Sequence, residues 1–260
     1  MNRHARLITL LELIASQGHA DVDDTAKRLG VSSVTIRRDL NCLHERGLVW
    51  RTHGGAVDRT ADRSGALQDA RSGQSSRKQR IAQVAADMVA AGATVGLNGG
   101  TTTLEVARAI ASRASRMPED CRRVTIVTNA ITVAGEPTVC GGVKLVVAGG
   151  LALPDSMELT GSITSDTLRQ VDLDLAILGV DAFSVDIGAR TRCAAESSIG
   201  RLMTTRARRV VIVADRSKLV AEAAALICPA SAVHDLITDR DAPADLLRRF
   251  VDIGVAVYVV

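Results

Sequence analysis

A chain of 260 residues, 47% hydrophobic but only 2% aromatic, can bury a small and a larger domain, and its core has to be Val, Ile, Leu and Ala. Such aliphatic composition favours a parallel α/β sheet, and a net charge of +3 excludes a globally basic nucleic-acid binder, so any such contact must come from local clustering. No run approaches the length of a membrane span, no signal-peptide core opens the chain, and the five cysteines have neither CxxC nor metal-ligand spacing; this predicts a cytoplasmic protein with reduced, mostly buried thiols, no metal and no cofactor.

A first helix is predicted over 3–17, with Leu7, Leu10, Leu11 and Ile14 as its apolar face and Gly18 as its stop. A short link leads to a second helix with Asp23 as N-cap and Leu29-Gly30 at its end. The third helix starts at Ser32, whose hydroxyl suits an N-cap, with Val31 and Ile36 at hydrophobic-staple spacing around it. Ile36, Leu40 and Leu43 form one buried stripe, and Gly47 stands where a left-handed terminating residue is expected. Ser33, Thr35, Arg37 and Arg38 point elsewhere, so the first turns present hydroxyls and two guanidinium groups to solvent. An apolar back with a short cationic front is what a recognition helix in a major groove requires. Taken alone, the segment also fits a solvated amphipathic helix with two surface arginines.

The flanks favour the first reading. Residues 48–57, LVWRTHGGAV, alternate and then turn at Gly54-Gly55, which predicts a β-hairpin. Three helices plus a hairpin make a winged helix-turn-helix, and Arg51 and His53 on the hairpin are placed to reach phosphate or the minor groove. Residues 1–60 carry nine Lys/Arg against seven Asp/Glu, so arrangement matters here more than the sum.

The stretch VSSVTIRRDLNCLHERGLVWRTHGGAV resembles the N-terminal signature of the DeoR-type (deoxyribose-operon repressor) bacterial transcriptional regulators. The TIRRDL core and the R-x-H-G-G hairpin carry the likeness, which covers about the first 57 residues. It implies that Ser32, Ser33, Thr35, Arg37 and Arg38 contact a double-stranded DNA operator. Arginine can read guanine O6/N7 bidentately, whereas Ser and Thr hydroxyls mostly hold phosphates.

The polar, Gly/Ser-bearing residues 58–75 are predicted to link domain 1–57 to domain 76–260. In the second domain Ile81, Val84, Ala85, Met88 and Val89 stripe a helix that stops at Gly92. Strands are predicted at 94–97, 124–128, 143–148, 173–178, 210–214, 236–238 and 255–260, the last apolar on both faces and hence interior. Helices are predicted at 162–170, 195–207 and 243–252, and another after Asn98-Gly99-Gly100-Thr101-Thr102-Thr103. The alternation argues for a Rossmann-like parallel sheet with helices on both faces.

Three places carry chemistry. The strand–NGGTTT–helix junction has glycines, threonine hydroxyls and a helix N-terminus, as a phosphate cradle does; it also reads as a plain glycine-rich turn with threonine caps. Neither a Walker A loop nor G-x-G-x-x-G is present, so ATP and NAD have no motif support. Lys218, in Ala214-Asp215-Arg216-Ser217-Lys218, and Asn129 stand at two other strand ends, where open α/β sheets bind ligands.

GGTTT, IVTN, Gly149-Gly150, DLAILG, Glu196 with Arg201, and ADRSK are similar to the C-terminal sensor domain of the same family, through most of 76–240. The resemblance implies a fold related to sugar-phosphate isomerases, a phosphorylated sugar or similar metabolite bound as effector without turnover, and carbohydrate-metabolism genes repressed by a homo-oligomer, dimer or tetramer. Gly100, Thr101, Thr102 and Lys218 would hold the phosphate, Asn129, Asp174 and Glu196 would lie near the sugar, and Asn98 and Gly99 would belong to the same effector site. Four positions depart from the family pattern: Asn98 stands for Asp, Leu153 for Arg, Gly200 for Lys, and Ala182 for Gly. The loss of two cations predicts a different effector or blunted sensing. The alternative function is a sugar-phosphate isomerase or deaminase with a DNA-binding appendage, for which Asp174, Asp181 and Glu196 are the candidate acids and bases; no pair of them has a diagnostic catalytic spacing.

Overall fold

The computed structural model describes residues 3–17, 19–45, 48–51, 55–58, 74–117 and 124–260. The chain divides into two compact units, Met1–Arg71 and Ser72–Val260.

The first unit comprises α1 (Arg3–Gln17), β1 (His19–Asp21), α2 (Val22–Leu29), α3 (Ser33–Glu45), β2 (Val49–Arg51) and β3 (Gly55–Asp58). Leu7, Leu10 and Ile14 of α1 pack with Ile36, Leu40 and Leu43 of α3 and with Val49 and Ala56 of the strands. The strands form an antiparallel sheet in the order β1-β3-β2, so the hairpin gains a third strand from the segment read as a link. Gly55 lies opposite Asp21 and so close to β1 that a Cβ would sit 1.9 Å from the Ala20 carbonyl oxygen. Asp21, not Asp23, caps α2: it ends β1 in an extended conformation and its side chain accepts from the Asp23 and Asp24 amides. Gly30 closes α2 at φ 64°. The predicted Gly18 and Gly47 stops, the turn at 52–54 and the side chain of Arg51 lie outside the described residues, as does His53.

The second unit comprises α4 (Gln74–Asp87), β4 (Thr94–Leu97), α5 (Thr101–Ser115), β5 (Thr125–Thr128), α6 (Ile131–Ala134), α7 (Pro137–Gly142), β6 (Lys144–Val147), β7 (Leu151–Leu153), β8 (Glu158–Thr160), α8 (Ser162–Arg169), β9 (Leu173–Gly179), β10 (Ala182–Ser184), β11 (Gly188–Thr191), α9 (Ala194–Arg206), β12 (Ala207–Val213), α10 (Arg216–Leu219), β13 (Ala225–Cys228), β14 (Asp235–Thr238), α11 (Ala244–Asp252) and β15 (Ala256–Val259). Seven strands make one sheet in the order β15-β14-β12-β9-β4-β5-β6, parallel throughout. All seven predicted strands are in it.

Period-two alternation divides the core between the faces. Leu175 and Ile177 of β9 and Val211 and Val213 of β12 face α4 and α5. Ala176 and Leu178, with Val210 and Ile212, face α8, α9 and α11. The only two phenylalanines, Phe183 and Phe250, stack there with ring centroids 4.5 Å apart.

β15 was expected inside the sheet from its apolar faces, but it is an edge strand paired to β14 alone, with Tyr258 and Val259 exposed. Apolarity on both faces reports side-chain character, not position in the strand order. The hairpin β7-β8 and the antiparallel sheet β10-β11-β13 were not predicted, because each strand has only three or four residues and little periodicity. The thiols also differ from expectation: of the described cysteines only Cys228 is buried, while Cys140 is exposed.

The strand order positions a site. From β4 the chain winds to β5 and β6 on one side, and from β9 to β12, β14 and β15 on the other. The reversal lies between β4 and β9, and a crevice opens at the C-terminal ends of strands at such a point.

Candidate functional site

In the first unit the site is the exposed face of α3. The Ser32 hydroxyl accepts from the Thr35 amide at 3.2 Å and bonds the Thr35 hydroxyl at 2.9 Å, a side-chain cap of the helix start. Ile36, Asp39, Leu40 and Leu43 are buried, and Arg37 and Arg38 are exposed. Asp39 is held by Arg6 of α1, whose Nε donates to Oδ2 in a buried pair. Spacing alone puts Asp39 on the stripe of Ile36, Leu40 and Leu43, but its partner Arg6 is 33 residues away and was not predicted. The pair ties α3 to α1.

In the second unit the strand-end residues converge. Gly100 precedes α5 at φ 125°, which a side chain would strain, and Gly99 is approached so closely by Glu158 that a Cβ would lie 2.5 Å from Oε1. The Gly99 amide donates to Glu158 Oε1 at 3.0 Å. The amides of Thr101, Thr102 and Thr103 begin α5 and have no intrahelical acceptor to reach. Beside them Lys78, 9% exposed on α4, donates from Nζ to Thr101 Oγ1 at 2.8 Å. Sequence reasoning missed Lys78; its place one position after Arg77 at the start of a helix reads as surface charge.

Glu158, 5% exposed, was also missed. It follows Met157, a non-glycine residue at φ 55°, at the end of the β7-β8 turn. Its Oε2 accepts from Asn129 Nδ2 at 2.9 Å, and Nδ2 also donates to the Leu159 carbonyl at 3.0 Å, which leaves Asn129 Oδ1 buried without a partner. Burial pushes the Glu158 carboxyl up to about 7, and the charges of Glu196 and Asp181 push the same way against the bonds from Asn129 and Gly99.

On the β9 side the Thr191 hydroxyl lies 2.6 Å from Glu196 Oε2 and 3.2 Å from Asp181 Oδ2. Lys218 Nζ is 3.7 Å from Asp181 Oδ1. Acceptors for hydroxyl groups and a cation therefore gather with the helix N-terminus at the strand ends. The structure brings Gly99, Gly100, Thr101, Thr102, Asn129, Glu196 and Lys218 to this end of the sheet.

Asp174 is elsewhere. It is second in β9, accepts from the Thr94 amide at 2.9 Å and stands 3.8 Å from Arg208. At roughly 3.3 Å per residue it lies about 16 Å along the strand from Gly179, at the opposite end of the sheet. Asn98 is spent on structure: Nδ2 donates to the Gly179 carbonyl at 2.9 Å and Oδ1 accepts from the Gly179 amide at 2.8 Å. A carboxylate there could make only the second bond, so Asn98 ties β4 to β9 at the point of reversal. Gly200 is buried against Ile227, 3.1 Å from any Cβ placed there, so the lysine expected at that position has no open space beside it.

The family profile described as the DeoR C terminal sensor domain matches residues 73–240, and that of the DeoR-like helix-turn-helix domain matches 6–61. The transcriptional repressor AccR of Agrobacterium fabrum is 31% identical over 255 residues, 95% of this chain and 96% of its own. The glycerol-3-phosphate regulon repressor of Escherichia coli is 29% identical over 243 residues, 94% and 93% of the two chains. Among solved structures, ribose 5-phosphate isomerase A of Methanocaldococcus jannaschii aligns with a TM-score of 0.41 at 19% identity, over 55% of this chain and 53% of that one.

Proposed function

This chain belongs to the DeoR family of transcriptional regulators, and from that premise we propose that it represses carbohydrate- or glycerol-phosphate-type genes and is released by a phosphorylated metabolite bound in the second unit. The relatives matched over nearly their whole length are repressors rather than enzymes.

One observation carries the DNA-binding half of the reading: α3 is capped at Ser32, anchored through Asp39, and turns Arg37 and Arg38 to solvent. The roles of Ser32, Ser33, Thr35, Arg51 and His53 at the operator follow from the same reading. A dimer is the smallest assembly that reads two half-sites one helical turn apart.

The effector half is supported by the α5 N-terminus with Lys78 and Lys218, the features that favour an anion. Thr191, Asp181 and Glu196 add acceptors suited to sugar hydroxyls. Lys78 supplies a cation that the departures at Leu153 and Gly200 were expected to remove. The two compact units, Met1–Arg71 and Ser72–Val260, support a division into a DNA-binding domain 1–57 and a sensing domain 76–260 joined by a link over 58–75. An effector releases the repressor by binding its DNA-competent and incompetent arrangements unequally.

The test is selection of bound duplexes from a random pool by the full chain, followed by titration of the selected complex with ribose 5-phosphate, glucosamine 6-phosphate and inorganic phosphate. Enrichment of one sequence and its release by a sugar phosphate are expected. Turnover of either sugar phosphate would instead support the enzymatic alternative.

A further inference from the structure

In the first turn of α3, Ser32 and Thr35 bond one another through their hydroxyls, and Ser33 and Thr35 are half-buried. Val34 is 59% exposed. With 3.6 residues per turn, Val34, Arg37, Arg38 and Asn41 share one stripe, at spacings of three, four and seven. All four are exposed, and the stripe lies opposite Ile36, Asp39, Leu40 and Leu43.

Folding does not account for Val34. A β-branched side chain is a poor choice for an exposed helical position, and among the described residues this one is not part of the buried cluster. Binding accounts for it. A recognition helix contacts base edges with its N-terminal residues, and the apolar feature a major groove offers is the C5-methyl group of thymine.

We propose that Val34 is a specificity-determining residue that packs on a thymine methyl in each operator half-site, between the base or phosphate contacts of Arg37 and Arg38. The proposal rests on the DNA-reading function of α3. It assigns to an apolar side chain the reading of one base, beside the operator roles of Ser32 and Thr35.

The experiment uses the full chain and the duplex it selects. Each thymine of the selected site is replaced in turn by deoxyuridine, which removes the methyl and keeps the hydrogen-bonding edge. Binding of wild type and Val34→Ala is measured on every duplex. At one thymine per half-site, methyl removal should weaken wild type by about fourfold, the contribution of one buried methyl group. Val34→Ala should bind the unmodified site more weakly, show no further loss at that thymine, and keep the wild-type salt dependence. Val34 is exposed, so the variant folds, which thermal unfolding checks. Wild type indifferent to methyl removal everywhere, or a Val34→Ala loss that adds to every methyl loss, overturns the proposal while α3 still reads DNA. A pool in which wild type enriches no sequence overturns the DNA-reading function and this proposal with it.

Discussion

The Gly99 amide and the Glu158 carboxylate meet at 3.0 Å, so a group that a phosphate cradle would offer to an anion is already occupied by an acid of the protein. Glu158 is almost wholly buried, and its carboxyl is pushed from the ordinary 4.5 to about 7. Between those values the folded chain holds a proton that the unfolded chain has lost. The contribution of Glu158 to stability should therefore be fullest below 4.5, fall as pH rises through this window, and level off above 7, by on the order of 3 kcal/mol. Urea unfolding at several pH values checks this. Glu158→Gln should flatten the slope, and an unchanged slope in that variant would show that Glu158 is not its source.

The same carboxyl couples to ligand. An anion on the Thr101–Thr103 amides favours protonated Glu158, so binding should take up a proton and weaken as pH rises past about 7. Calorimetry with sulfate, which does not titrate in this range, in buffers of different ionisation enthalpy reads the proton directly. Equal heats in all buffers would mean that the anion sits elsewhere.

Lys78 donates to Thr101 Oγ1 from a buried position. A hydrogen bond to a charged group contributes roughly 1.5–3 kcal/mol, so Lys78→Met should weaken binding of a sugar phosphate by about 10- to 100-fold. Free sugars should be affected much less. A thermal-shift titration of the full chain with both kinds of ligand separates the outcomes; equal losses for both would make Lys78 a packing residue only.

Arg6 and Asp39 form a buried pair between α1 and α3. Arg6→Ala removes a hydrogen-bonded cation from the buried Asp39 carboxylate and should cost up to about 3–5 kcal/mol. Arg6→Met with Asp39→Leu should recover much of that loss. Trp50 is the only tryptophan and belongs to the first unit, so its fluorescence during urea unfolding reports that unit selectively.

Elements whose burial is periodic were legible in the sequence: the stripe Ile36-Leu40-Leu43 and the seven parallel strands stand where the pattern put them. The site was legible where it is made of backbone and where a side chain stands just past a strand end, as Asn129 and Lys218 do. Gly99 and Gly100 announce a close approach and a positive φ. Partners distant in sequence were not legible. Lys78 meets Thr101 across 23 residues, Glu158 meets Gly99 across 59, and Asn98 meets Gly179 across 81. Asp174 shows the converse error: the family motif drew it to the site, but its place early in β9 sets it at the other end of the sheet.

Arg37 and Arg38 differ by one residue on the exposed face of α3, which rotates them about 100° apart around the helix axis. Side chains so placed approach a groove from different directions, so on the proposed reading one is expected to reach base edges and the other to lie along a phosphate backbone. The base-reading arginine, changed to Ala, should cost about 1–3 kcal/mol and relax the preference at one position of the selected site. The phosphate-binding arginine, changed to Ala, should weaken all duplexes alike and lower the slope of log affinity against log salt by about 1. Each variant is titrated from low to moderate salt on the selected duplex and on a scrambled one. Uniform weakening in both variants would assign both arginines to phosphates and move sequence reading to other residues of α3. Unchanged affinity in both would mean that α3 is not the helix in the groove.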